Sequence, residues 1–265
     1  MKLFKTILFT SMLLLIVSCG EERKKYLKSP LDTIITTHID TQNYSVILAD
    51  MDYKEDTDKY YHKYKIIIEK AKNTTEAVED DFDIKTTEWQ EVSAITFEDY
   101  QEDLGMTILS KKEGVLDKQS TPAGYSNYVG NEKYGHWQTH SNGSSFWAFY
   151  GQYHFMSSLF YGPSHRYYRN DYDYYRTNHY RRSSYYGRNK NFGTSTYKNA
   201  NSNWNSKPKT FKDKVRTNVT RSSSALKSKG YSSSKSYNGS SQTSRNTNRY
   251  SNSSSSRSRS GGFGK

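Results

Sequence analysis

Ile47-Leu48-Ala49-Asp50-Met51-Asp52-Tyr53-Lys54, the polar Glu55-Asp56-Thr57-Asp58 and the run Tyr60 to Ile68 decide the fold of this chain. In the first run Ile47, Ala49, Met51 and Tyr53 share one parity, opposite mostly charged positions. In the last, Tyr60, Tyr64, Ile66 and Ile68 do the same. Strand side chains alternate between faces, so two such runs around a short polar turn predict an antiparallel hairpin. Upstream, Thr33 to Ile39 is β-prone. Downstream, Thr96 is placed to cap a short helix with Asp99 three residues on, and Phe97, Tyr100 and Leu104 supply its apolar face. Gly105 is the expected stop, and Met106 to Leu109 returns as a strand. The fold class expected over residues 31–117 is a small α+β domain, an antiparallel hairpin plus a short helix. At roughly ninety residues it is near the lower size at which one core suffices.

Charge divides the chain further. The formal net charge is +12. Residues 31–117 hold nine Lys/Arg against twenty-one Asp/Glu, and residues 118–265 hold twenty-four against four, a swing from −12 to +20. That change in character predicts a domain boundary near Lys118.

Beyond it the composition changes twice. Residues 118–198 form a Tyr/Gly/Arg-rich segment, and fifteen of the twenty-five tyrosines lie between Tyr125 and Tyr197. Within it Ser145 reads as an N-cap and Gly162-Pro163 as a terminator, predicting a helix over 146–161. Phe146, Phe149, Tyr150, Tyr153, Met156 and Phe160 share one face, with Trp147, Phe155 and Leu159 opposite. A helix apolar all round is buried, in protein or in lipid. Residues 199–265 contain twenty serines, no acid after Asp213 and few aromatics. Such a composition does not repay the entropy of ordering, so a disordered basic Ser/Lys/Arg-rich tail is expected.

At the N-terminus, Lys2 and Lys5 precede an apolar run from Ile7 to Val17, and small residues surround Cys19. A charged start, an apolar run of that length and a small-residue end describe a secretory signal over residues 1–18. The run is too short to span a bilayer comfortably. Ile16-Val17-Ser18-Cys19 resembles the lipobox of bacterial lipoproteins. The resemblance implies cleavage before Cys19, diacylglycerol on its sulfur, acylation of the new amino group, and a lipidated tether over residues 19–30. Gly20 stands where enteric lipoproteins retained at the inner membrane carry Asp, which implies the outer membrane in a host with two. Glu21-Glu22 resembles the acidic export signal of some surface lipoproteins of Bacteroidota. The Gly-Tyr and Phe-Trp-Ala-Phe-Tyr-Gly stretches and the terminal Gly-Gly-Phe-Gly resemble uncharacterised envelope lipoproteins, from which no catalytic residue carries over.

Cys19 is the only cysteine, so lipidation leaves no thiol for a disulfide, a thiolate-bound metal or a nucleophile. His136 and His140 are four apart, but Gly135 and Ser141-Asn142-Gly143 argue against a helix that would pair them on a metal. His154, His165 and His179 are irregularly spaced. No Gly-x-Ser-x-Gly, His-Glu-x-x-His or phosphate loop occurs. Asp50, Asp52, Asp80, Asp81, Asp83, Glu98 and Asp99 read as a solvated surface rather than a catalytic pair. The chain is not expected to be an enzyme, a cell-wall-acting one included, and no metal or cofactor is expected.

The chemistry that remains is cationic. Arg166, Arg169, Arg176, Arg181 and Arg182 interleave with tyrosines, a pattern suited to anions that also offer faces for stacking. The expected role is structural or adhesive at the membrane to which Cys19 is tethered, with a cationic tail contacting anionic surfaces or polymers. Partners open to an exported chain are anionic lipids, acidic glycans and released nucleic acid. The alternative is a binding module in which the acidic domain holds an envelope protein partner and the tail is a spacer.

Overall fold

Two runs of eleven residues do form the expected hairpin. In the computed structural model, which describes residues 27–70, 81–161, 166–233 and 235, β1 (Tyr44–Lys54) and β2 (Lys59–Glu69) pair antiparallel from Tyr44↔Ile68 to Lys54↔Lys59. Asp58 takes φ 50° in the turn, a left-handed conformation that Asp tolerates. The expectation that Ile47, Ala49, Met51 and Tyr53 share a face is corrected. The register slips between Leu48 and Asp50, leaving Ala49 as a bulge. One extra residue inverts the parity beyond it. Tyr44, Val46, Leu48, Met51 and Tyr53 therefore enter one core, and Ile47 enters another. Tyr60, Tyr64, Ile66 and Ile68 stay together on the first.

β3 (Phe82–Thr86) and β4 (Gln90–Val92) both pair with the outer edge of β2. On the other side β5 (Thr107–Lys112) pairs with β1, and β6 (Val115–Asp117) with β5. Every pairing is antiparallel.

The helices cover one face of this sheet. Helix α1 (Pro30–Thr37) replaces the β-prone reading of Thr33 to Ile39. Ser29 caps it and Pro30 occupies its first turn, while Leu31, Ile34 and Ile35 fall on its buried side. That burial overrides the β-branched run. Helix α2 (Ala94–Tyr100) is capped by Ser93, whose Oγ accepts from the Thr96 amide at 3.1 Å, so Thr96 lies inside the helix rather than at its cap. Phe97, Tyr100 and Leu104 are buried as expected. Gly105 (φ +79°) stops the run, and a Cβ there would overlap the Tyr197 ring. Its N–H donates to the Leu48 carbonyl at 2.8 Å.

The opposite face carries an aromatic layer. Ile47, Ile67, Phe82 and Met106 pack against Tyr125, Tyr128, Tyr134, Trp147, Tyr153 and Phe160. The helix expected over 146–161 is replaced here by a hairpin of β7 (Gly135–Thr139) and β8 (Ser145–Phe149), a 3₁₀ turn at Gly151–Tyr153 and α3 (Phe155–Leu159). The Ser145 hydroxyl lies 2.8 Å from that of Thr139 instead of capping a helix. Trp147 is the buried residue of β8, with Ser145, Phe146, Ala148 and Phe149 half-buried around it. Trp147, Tyr153, Met156 and Phe160 pack into the aromatic core, whereas Phe146 is half-buried under Arg166 and Tyr150 is exposed. Helix α4 (Arg169–Asn178) lies across the same layer through its buried Tyr175.

The sequence beyond 198 departs furthest from expectation. Residues 199–265 are not uniformly disordered. Helices α5 (Asn203–Ser206) and α6 (Lys209–Lys227) bury Trp204, Val215, Val219 and Leu226 in the same core as α1, α2 and the hairpin. Val215, Val219 and Leu226 are i, i+4 and i+11, one helical stripe that the serine-rich average conceals. Residues 236–265, the signal segment 1–18 and the tether as far as residue 26 lie outside the described residues.

Composition does not mark a packing boundary at Lys118. Its ammonium sits 3.2 Å from Asp32, and Thr121 exchanges both backbone hydrogen bonds with Thr107 at 2.9 Å. Both faces of the sheet of the acidic block are covered by residues from the basic half. The domain is accordingly larger than the sequence suggested: an antiparallel sheet between a helical layer and an aromatic one.

Candidate functional site

Carboxylates of the acidic block serve as anchors. Asp50 accepts from Ser202 Oγ at 2.8 Å and from the amides of Asn203 and Trp204 at 2.6 and 3.1 Å, seating the first turn of α5. Asp52 pairs with Lys54 and Lys207. Burial pushes its carboxyl up, but hydrogen bonds from Lys54 and Asn203 and the charge of Lys207 outweigh that and leave it below its ordinary value. Glu98 accepts from Ser223 and Lys227, both at 2.6 Å, and Asp99 accepts from Ser233. Asp83 pairs with Lys85. Asp103, wholly buried, accepts from Ser120, Tyr186 and Lys235. Of these, Asp50, Asp52, Glu98, Asp99 and Asp103 reach groups of the basic half. Asp80 lies outside the described residues.

The histidines scatter. His136 stacks on Tyr150 and His140 on Phe146 at either end of the β7–β8 hairpin, and His179 faces Tyr174 and Tyr185. His165 is outside the described residues. Among the described residues no group of His, Asp or Glu is placed to hold a metal ion, and no helix is long and apolar enough to cross a membrane.

All five expected arginines are exposed on the aromatic layer. Arg166 lies 4.8 Å over Phe146 and donates to His140 Nε2. Arg169 sits 5.9 Å over Trp137 and 3.6 Å from Asp173. Arg176 and Arg181 share one ring, at 3.8 and 5.1 Å from the centre of Tyr180. Arg182 donates to the Thr177 carbonyl at 3.2 Å. The structure thus makes two groups, Arg166 with Arg169 beside the β7–β8 hairpin and Arg176, Arg181 and Arg182 at the far end of α4. Helical rise puts about 10 Å between Arg169 and Arg176.

Ion pairs across to the acidic block come mostly from lysines of the basic half, and also from Arg216, 3.0 Å from Glu102. Lys118, Lys133, Lys207, Lys214, Lys227 and Lys235 each reach a carboxylate of the acidic block. Of the five arginines only Arg169 has a carboxylate at ion-pair distance, among the described residues, and that one belongs to its own helix.

A cleft the sequence did not single out opens beside Arg166. It holds about 410 Å³, lined by Arg166, Tyr168, Asn170, Asp171, Arg188, Asn189 and Asn191 over the buried Tyr125 and Phe192. Asp171 is fully engaged, accepting from Tyr125 and Tyr185 hydroxyls at 2.9 and 2.7 Å and from the Arg188 amide at 3.0 Å. Burial, and secondarily the Asp171 charge and hydrogen bond, push the Tyr125 phenol well above its ordinary value. The signal for this cleft was Tyr186-Gly187-Arg188-Asn189-Lys190-Asn191-Phe192-Gly193, where Gly187 and Gly193 both take positive φ.

Neither protein-family models, nor curated proteins, nor solved structures gave a match to this chain.

Proposed function

We propose that this protein is a lipid-anchored component of a bacterial cell envelope that holds anionic polymers against a folded arginine–aromatic surface. The observation that carries the reading is the placement of Arg166, Arg169, Arg176 and Arg181, each exposed and stacked on a ring, with no carboxylate of the acidic block at ion-pair distance among the described residues. An exposed arginine over an aromatic face gains roughly 0.5–1 kcal/mol, enough to orient the guanidinium while leaving its outer edge open to an anion. Several weak contacts on one face then act together. Lipidation at Cys19, after the lipobox-like Ile16-Val17-Ser18, would put that face at a membrane, on the outer membrane or cell surface by the resemblances of Gly20 and Glu21-Glu22.

The alternative, a binding module whose acidic part works while the remainder is a spacer, has less behind it. The acidic carboxylates are occupied by α5, α6 and the lysines of the basic half.

Two measurements test the proposal. Cys19→Ser should release the protein from the membrane pellet after a carbonate wash, and retention would contradict the anchor. Full-length protein should leave a sulfated-polysaccharide matrix as salt rises, because the Debye length falls from about 10 Å at 0.1 M to about 3 Å at 1 M. Replacing the five arginines together by glutamine should move elution to much lower salt, and any single one of Arg169, Arg176, Arg181 and Arg182 should move it little. Unchanged elution of the fivefold variant would refute the surface.

A further inference from the structure

We infer that the cleft between Arg166 and Arg188 is a saccharide subsite that takes a singly charged acidic sugar, a uronate or a sulfate ester, within a longer anionic polysaccharide. This rests on the reading that the arginine surface binds anionic polymers, and it names the polymer.

The lining decides between anions. Its ionised groups are Arg166, Arg188 and Asp171, a net charge of +1. A doubly charged phosphate monoester would meet an excess of negative charge there, whereas one carboxylate or sulfate is matched. Asp171 lines the cleft while accepting from three donors, which partly compensate its charge, so the lining keeps a small net positive balance. Guanidinium presents paired N–H donors that suit a carboxylate or sulfate edge.

The rest of the lining is that of a site for hydroxyl groups. Asn170, Asn189 and Asn191 bring three amides, each both donor and acceptor, the match for vicinal hydroxyls that are themselves both. Tyr168 is 47% exposed at the rim, a ring face left open for the C–H face of a pyranose. A linear polyphosphate carries one charge per internal phosphate and no hydroxyls, so these amides, rather than the charge balance, discriminate against it. The volume, about 410 Å³, falls in the range of small-ligand sites, roughly 300–1,000 Å³.

The groups are also held in place. Arg188 lies 5.2 Å over Tyr174, and its amide is fixed on Asp171. Arg166 is fixed by Phe146 and His140. A cleft whose charges are already oriented needs little ordering on binding.

The test uses full-length protein in detergent, titrated calorimetrically with three probes of similar length: an oligouronate, a neutral oligoglucan and a linear polyphosphate. The oligouronate should bind with one site per chain and keep measurable affinity at 0.5 M salt, about tenfold tighter there than polyphosphate. Arg188→Gln should weaken it about tenfold, whereas Arg182→Gln, outside the cleft, should change it less than about twofold. Asn189→Asp, at an exposed position whose replacement leaves the packing alone, adds a second carboxylate to the cleft and should remove the salt-resistant binding. A thermal melt of each variant confirms folding, and Asn189→Asp decides the matter if Arg188→Gln does not fold. Equal binding of oligouronate and polyphosphate, or equal effects of Arg188→Gln and Arg182→Gln, would overturn the subsite while leaving the charged surface standing. Binding of none of the anions would overturn both.

Discussion

Single side chains show how the two halves of the chain are joined. Asp50 holds the first turn of α5 through one hydroxyl and two amides 152 to 154 residues away in sequence. Asp50→Ala leaves those donors in a buried place without an acceptor, a cost of about 2 kcal/mol. Chemical denaturation should show it as a lower midpoint with an unchanged slope. His62 is fully buried between Phe97, Tyr64 and Tyr100, its Nδ1 3.1 Å from the Tyr64 hydroxyl. Burial lowers it from its ordinary 6.5 to about 3. The unfolded chain therefore takes up a proton below pH 6.5 that the folded chain refuses. Stability is unaffected by this group above 6.5 and falls as the pH drops from there toward 3, by about 1.4 kcal/mol per pH unit. Stability measured between pH 7 and pH 5 should decline less steeply in His62→Phe than in the parent. Parallel profiles would show that His62 titrates normally.

Elements differ in how plainly their sequences announced them. The hairpin β1–β2, the buried face of α2 and the stop at Gly105 were legible because local pattern and tertiary environment agree. A bulge at Ala49 was not, since nothing in Ile47 to Tyr53 signals an extra residue. Only the partner strand reveals it. Ser145 was misread because a serine before an apolar run suits a helix cap and a strand start alike. The strand was chosen by its partner Gly135–Thr139 across the Asn142-Gly143 turn. Helix α6 was hidden by averaging: four buried side chains suffice to dock it, however many serines share the window. The five arginines were read from sequence, but their division into two groups was not, and neither was the cleft. Arg188 and the asparagines become neighbours of Arg166 only through a loop folded on Asp171. Trp204, 1% exposed between Phe97 and Phe211, tests the docking of the C-terminal elements. Trp204→Ala should cost about 3–5 kcal/mol, read as a fall in the unfolding midpoint. A surface tryptophan would give a loss several times smaller.

For the whole molecule, charge is arranged by fold rather than by segment. The basic half packs on both faces of the acidic block's sheet in one structure, joined to it by ion pairs such as Lys118–Asp32, Lys207–Asp52 and Lys227–Glu98. In such partly buried pairs the attraction is largely offset by the cost of desolvating the charges, so apolar burial on the two faces of the sheet carries the stability. On the proposed function, the arginines that would meet a ligand belong to a folded face, with fixed spacing. Calorimetric unfolding of two truncated chains, one ending at residue 198 and one at residue 235, tests this most directly. The shorter lacks Trp204, Val215, Val219 and Leu226 and should lose its cooperative transition, while the longer should unfold cooperatively within a few degrees of the full chain. A chain ending at residue 198 that unfolds cooperatively at the full-length midpoint would contradict the account.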